Sequence, residues 1–336
     1  MAATNNPLEG PPTLPPVSAQ TLTIAGILVT VHGLAELPPN CTSVTCLWLL
    51  NPRLQTKETM APIATALITR WNTHSQSQSP TLSAPRTGLI AAAFDARNHG
   101  TRLATPLHNE AWRQGNPTHA QDMFGVYAGT AADCAGLIDH LPSYLPGLPA
   151  LAHAVLGVSL GGHAAWHVLL SDPRVRAGVV GIGCPDYARL MADRARLSRR
   201  ETYLSTTPPG AGFFGSPDFP PALVDAVARF DPAGLLLPAG ADAPVSDPAR
   251  ARFRALVRQR LQGKRILNLS GAEDKLVPYA AGAPFLKVFK EVVADKALDV
   301  GFEDVLFEGT GHVFSAAMVE RAGEWVCEVL GGRGGG

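Results

Sequence analysis

Net charge is the first thing this sequence lacks: 28 Lys and Arg offset 28 Asp and Glu over 336 residues. Without a positive excess there is no electrostatic footprint for nucleic acid or an anionic membrane surface. Cysteine is sparse and odd in number, at Cys41, Cys46, Cys134, Cys184 and Cys327. The spacing forms no disulfide framework, and no C-x-x-C accompanies a histidine cluster. Reduced thiols, a reducing compartment and no structural zinc are therefore expected. No apolar run reaches the ~18 residues that a membrane span needs. Residues 1–19 are rich in Pro, Thr and Asn and do not read as a signal peptide. No G-x-G-x-x-G opens a helix after a strand, and no G-x-x-x-x-G-K-[ST] occurs. The expectations are a cytoplasmic protein with no cofactor, no metal, no nucleic-acid partner and no membrane span. Oligomeric state is not readable.

What is present is an apolar, alternating chain. Hydrophobic residues make up 46%, enough for a large core. Pro7, Pro11, Pro12, Pro15 and Pro16 mark residues 1–19 as an extended, poorly ordered tail. Thr21–Ile24 and Ile27–Val31 flank Ala25-Gly26 as a hairpin. Buried strands are expected at Val44–Leu50, Leu89–Phe94, Ala150–Leu156, Gly178–Ile182, Arg265–Leu269 and Val305–Phe307. Helical spacing intervenes at Thr59–Trp71, Asp122–Leu141, Ala164–Leu170, Phe285–Val293 and Phe314–Leu330. Strands alternating with helices predict an α/β fold, a mostly parallel, doubly wound sheet covered on both faces. Between Pro185 and Gln262 no strand pattern occurs. The division expected is a tail over 1–19, a first core part over 20–184, a helical insertion over 185–262, a second core part over 263–330 and a loose tail over 331–336. The densest charge run, Arg189 to Glu201, reads as a solvated helix face.

Chemistry concentrates in Gly157-Val158-Ser159-Leu160-Gly161-Gly162. This G-x-S-x-G lies between an expected strand and an expected helix, where a sharp turn can hold a serine hydroxyl above the sheet edge. The Leu160 N–H then points to where charge develops on a bound carbonyl oxygen. A serine needs a base, and the base needs an orienting group. His312, in Gly309-Thr310-Gly311-His312 after the last strand, is the best base. Asp274 is the best acid, with Glu273 as a neighbour that could substitute. The ends of parallel strands are where such groups converge. Asp95 and Asp186 share that placement.

On these residues the chain resembles an α/β-hydrolase over about residues 21–330. The resemblance rests on Gly157 to Gly162, on Gly271-Ala272-Glu273-Asp274-Lys275-Leu276-Val277-Pro278 and on Gly311-His312. Phe94 to Gly100 is similar to a mostly structural loop of that superfamily, and the doubled glycine also resembles prolyl-oligopeptidase-type peptidases. The resemblance implies Ser159 as nucleophile, His312 as base and Asp274 as acid. It also implies a second oxyanion donor after the third strand, often in a His-Gly. Here that loop reads Leu50-Asn51-Pro52-Arg53-Leu54. Pro52 has no N–H, which leaves Arg53 or Leu54. His32-Gly33 falls on the second strand, too early.

The insertion carries Tyr187, Tyr203, Phe213, Phe214, Phe219 and Phe230. Over a serine site it would form a lid, with Tyr187, Phe213 and Phe214 facing an apolar substrate; alternatively these rings only pack the insertion onto the core. The expected function is a serine hydrolase of a small-molecule carboxylic ester. The alternatives are an amidase or peptidase of the same fold, and a non-catalytic ligand-binding homologue.

Overall fold

The computed structural model describes residues 6–8, 14–39, 41–78, 86–237 and 246–332. Most of the expected tails, 1–19 and 331–336, and part of the insertion lie outside the described residues. Eight strands form one sheet: β1 (Ala19–Ile24), β2 (Ile27–His32), β3 (Cys41–Leu50), β4 (Arg86–Phe94), β5 (Leu151–Val158), β6 (Val175–Gly181), β7 (Arg265–Gly271) and β8 (Gly301–Phe307). Their order is β1-β2-β4-β3-β5-β6-β7-β8. The β1–β2 and β2–β4 pairings are antiparallel and all others parallel. Every strand expected from the sequence is present. The central ones read as unbroken apolar runs because helices cover both faces. In β3, Val44, Cys46, Trp48 and Leu50 enter one core while Leu47 and Leu49 enter the other.

Helices α1 (Ala61–Gln78) and, at the chain's end, α10 (Ala316–Leu330) cover one face. Helices α2 (His119–Tyr144), α3 (Leu160–Ser171) and α9 (Tyr279–Val293) cover the other. Between β6 and β7 the described residues hold α4 (Tyr187–Leu197), α5 (Glu201–Leu204), α6 (Pro221–Phe230), α7 (Pro232–Leu236) and α8 (Asp247–Leu261), and no strand. Among the described residues no helix is long and apolar enough to cross a membrane.

Two departures from the sequence expectation are local. The last helix starts at Ala316, two residues later than Phe314. Ser315 caps it by accepting from Met318 N–H at 3.4 Å, while Phe314 N–H is taken by the Pro7 carbonyl at 2.6 Å. Within the N-terminal tail, Leu8 accordingly forms a parallel bridge with Phe314. The expected solvated face over 189–201 is also not uniform. Arg194 turns inward, and Arg200 pairs with the buried Asp218 at 2.6 Å.

At the end of β5 the sheet and α3 touch backbone to backbone. A Cβ on Gly157 would lie 1.9 Å from the Gly161 carbonyl oxygen, and one on Gly161 2.0 Å from the Leu50 oxygen. Neither neighbour is a side chain that can rotate away. Gly161→Ala should therefore cost about 3 kcal/mol in unfolding free energy, measured by urea titration. A loss below about 0.5 kcal/mol, the scale of an uneventful surface change, contradicts this packing account.

Buried histidines on α3 generate a second prediction. Burial pushes His163 down to about 4 and His167 to about 3 from 6.5. The unfolded chain then takes up these protons first as pH falls. Their contribution to stability is full above about pH 6.5 and is lost as pH drops toward 4 and 3. By pH 5 each should have cost on the order of 2 kcal/mol. His167→Gln, whatever its stability at pH 7.5, should lose less than the parent between pH 7.5 and 5. An unchanged pH slope contradicts the assignment.

Candidate active site

Ser159 sits between β5 and α3 at φ 55° and ψ −112°. A non-glycine residue in that region carries about 1–3 kcal/mol of strain, sustained only where the surroundings enforce it. Here Ser159 N–H donates to the Gly181 carbonyl at 2.8 Å, and the Ser159 carbonyl accepts from His163 N–H at 3.0 Å. With the glycine contacts at 157 and 161, the turn has no room to relax. The hydroxyl is presented beyond the strand end, beside the N-terminus of α3.

Two further loops converge there. The Ser159 Oγ lies 2.9 Å from His312 Nε2, and His312 Nδ1 lies 2.7 Å from Asp274 Oδ2. The carboxylate can only accept, so Nδ1 carries the proton and Nε2 offers its lone pair to the hydroxyl. Asp274 is buried, and its other oxygen accepts from Leu276 and Val277 N–H at 2.9 and 2.8 Å. The loops are also tied to each other. Glu273 N–H donates to the Thr310 carbonyl at 2.9 Å, and a Cβ on Gly271 would meet that same oxygen at 2.4 Å. Glu273 thus contributes its backbone, and Asp274 is the residue that reaches the imidazole.

The loop after β3 lies against this turn. Asn51 is fully buried; its Nδ2 donates to the Pro52 and Gln55 carbonyls at 3.0 and 2.8 Å, and its Oδ1 accepts from Ala96 N–H at 3.0 Å. Leu54 adopts φ 63°. Gln55 N–H closes the loop on the Pro52 carbonyl at 3.2 Å, and among the described residues the N–H groups of Arg53 and Leu54 meet no acceptor. Leu160, at the first position of α3, likewise has no intrahelical acceptor for its N–H. Arg53 and Leu160 line one small recess of about 10 Å³ together with His99, Asn109, His119 and Met123.

Other residues singled out from the sequence have structural partners. Asp95 accepts from Lys57 N–H and from Thr101, and Asp186 caps α4 by accepting from Arg189 N–H. Tyr187 is buried, with its hydroxyl donating to the Ala120 carbonyl at 2.6 Å. Phe213 is buried among Trp112, Tyr203, Phe214 and Phe219, with ring centroids 5.2–6.2 Å away. Phe214 remains 46% exposed. The structure thus separates Tyr187 and Phe213, which hold the insertion to the core, from Phe214.

Several polar residues at this end of the sheet carry no sequence signal of their own. Arg194 of α4 donates to the Leu276 carbonyl at 3.1 Å, in the loop that carries Asp274. It also contacts His119 Nε2 and Met123 Sδ, each at 3.0 Å. His119 Nδ1 donates to the Glu110 carbonyl at 2.9 Å, so its Nε2 is the acceptor. Burial, then the Arg194 and Arg53 guanidinium groups, hold His119 well below its usual range and keep it neutral. All five cysteines are free, and no group of three or more His, Cys, Asp or Glu among the described residues could hold a metal ion.

A hydroxyl–imidazole–carboxylate chain beside unpaired backbone N–H groups can take a proton from oxygen and hold a developing oxyanion. Comparison with known proteins places the chain that carries it. Residues 64–329 match the model of the alpha/beta hydrolase family. No curated protein matches the sequence. Among solved structures, TT1662 from Thermus thermophilus is similar with a TM-score of 0.52 at 18% identity, over 92% of this chain and 96% of that one. A 2,6-dihydroxy-pseudo-oxynicotine hydrolase is similar with a TM-score of 0.51 at 16% identity, over 96% and 70%. A puromycin hydrolase matches with a TM-score of 0.51 at 17% identity, over 94% of this chain and only 39% of that one. At such identities the structural likeness is one of fold. The match of the family model over most of the sequence goes further: the chain belongs to the alpha/beta hydrolase family.

Proposed function

We propose that the protein is a serine hydrolase of small-molecule carboxylic esters, with Ser159 as nucleophile, His312 as base and Asp274 as the group that orients it. The observation that carries this reading is the unbroken hydrogen-bond chain from Ser159 through His312 to Asp274, at 2.9 and 2.7 Å. His312 Nε2 takes the hydroxyl proton as Oγ attacks the ester carbonyl. The oxyanion is received by Leu160 N–H and by Arg53 or Leu54 N–H. The imidazolium then protonates the leaving alcohol, and an acyl group stays on Ser159. Water, deprotonated by the same imidazole, attacks the acyl carbonyl; Ser159 leaves with the proton and the acid is released.

In this reading residues 185–262 are a lid between two parts of one core, 20–184 and 263–330. Tyr187 and Phe213 anchor it, and Phe214 is the aromatic free to meet an apolar part of the substrate.

Ser159→Ala should lower kcat/KM for 4-nitrophenyl butyrate by on the order of 10⁴-fold or more. Asp274→Asn should lower kcat to a similar order, because the imidazole then takes the wrong tautomer. Retained ester turnover in either variant, with circular dichroism unchanged, contradicts the role given to that residue. Run beside matched 4-nitroanilides, the parent should favour the ester; faster amide turnover would move the assignment to an amidase. The lid rings should also separate. Phe213→Ala should cost about 3–5 kcal/mol of stability. Phe214→Ala should leave stability nearly intact and shift acyl chain-length preference, and an unchanged preference removes it from the substrate's path.

A further inference from the structure

A single peptide unit stands between a cation and the Asp274 carboxylate. The Val277 N–H donates to Asp274 Oδ1 at 2.8 Å, and the Leu276 carbonyl accepts from Arg194 Nη2 at 3.1 Å. These are the two ends of one trans peptide, which holds them on opposite edges of a plane. The guanidinium therefore meets the negative end of the peptide dipole, and the carboxylate meets the positive end. Asp274 Oδ1 also takes the Leu276 N–H at 2.9 Å, while Oδ2 takes His312 Nδ1–H at 2.7 Å. With Ser159 Oγ 2.9 Å from His312 Nε2, the series runs unbroken from Arg194 through the peptide, Asp274 and His312 to Ser159. In such a chain each bond polarises the next.

Arg194 belongs to the insertion, not to the core that carries the other members. On α4, Tyr187, Leu190, Met191 and Ala195 are buried. Arg194, seven residues after Tyr187, falls on that same stripe. Packing alone calls for an aliphatic side chain there, because a partly desolvated guanidinium costs stability. Two residues of α2 aim the group: Nη1 reaches His119 Nε2 and Met123 Sδ, each at 3.0 Å. Among the described residues its hydrogen-bond partners are all neutral, so its charge is turned toward the Leu276 carbonyl. Burial, then Arg53, pushes Arg194 down to about 10, which leaves it protonated at neutral pH.

We propose that Arg194 is a positioning residue of the active centre: acting through the Leu276–Val277 peptide, its charge fixes the Asp274 carboxylate against His312. The insertion then supplies part of the reactive machinery as well as a cover. This rests on the serine-hydrolase reading above and adds one residue to it. The competing account is that Arg194 only packs α4 onto the loop that carries Asp274. Stability and activity would then fall together, and any donor to the Leu276 carbonyl would serve.

Three variants of the full-length protein separate the two. Arg194→Met removes the charge and suits the apolar stripe, so its thermal midpoint should match or exceed the parent's. Its kcat for 4-nitrophenyl butyrate should fall on the order of 10- to 100-fold, with KM little changed. Arg194→Lys places an ammonium near the same carbonyl and should recover part of the loss. Arg194→Gln can donate without a charge and should recover less. A second readout needs no turnover. The low-field proton resonance of His312 Nδ1–H, bonded to Asp274, should shift or broaden in Arg194→Met and return toward its parental position in Arg194→Lys. Parental kcat in Arg194→Met overturns the proposal. So does recovery in Arg194→Gln as complete as in Arg194→Lys, and so does an unmoved resonance in Arg194→Met. If Arg194→Met is fully active while Ser159→Ala is dead, the serine-hydrolase reading stands without this addition. If the parent turns over no ester, that reading falls instead, and the resonance still decides whether Arg194 governs the bond between Asp274 and His312.

Discussion

A backbone that cannot relax underlies the rest of this structure. Ser159 is held at φ 55° because β5, α3 and the end of β3 meet there with no side chains between them. The strain is local and the enforcement is global: Leu50, Gly157, Gly161 and Gly181 belong to four different elements. A turn fixed by four elements presents its hydroxyl without an ordering cost at the moment of reaction. The same contact presses the loop after β3 against the start of α3. Arg53 thereby comes to line one small recess with Leu160.

The other two site loops are tied to the sheet in the same manner. Ala272 N–H reaches the Phe307 carbonyl at 2.9 Å, and Glu273 N–H reaches the Thr310 carbonyl, so the acid-bearing and histidine-bearing loops share backbone bonds. The imidazole needs to be correct within a few tenths of an ångström, and it gains this from chain rather than from side-chain packing. Pro7 and Leu8 add a further clamp, since the Pro7 carbonyl takes the N–H of Phe314, two residues past His312.

Much of this is legible in the sequence, for a physical reason. Strands buried on both faces are mostly apolar, so β3 to β7 stand out through runs such as Trp48–Leu50 or Leu89–Phe94. The serine turn is local as well, because the glycines that it requires lie within five residues of one another. Pro52 could be excluded as a donor from its covalent structure alone. Other features depend on distant partners and leave no local trace. Arg194 lies in a basic run that reads as solvated, and its inward turn follows from where the Leu276 loop happens to pass. Phe213 and Phe214 are identical neighbours with opposite environments, set by the packing of Trp112 and Tyr203. Asn51 reads as a strand breaker, yet it braces the loop after β3 through bonds to Pro52, Gln55 and Ala96.

The central claim is that three distant side chains and two separate N–H groups form one reactive centre at the sheet edge. The most direct measurement is a crystal structure of the protein after reaction with a fluorophosphonate. The account predicts phosphorus bonded to Ser159 Oγ, with a phosphoryl oxygen at hydrogen-bond distance, about 2.7–3.1 Å, from Leu160 N and from the N of Arg53 or Leu54. A phosphorus atom on any other residue, or an adduct whose oxygen turns away from those amides, would contradict it.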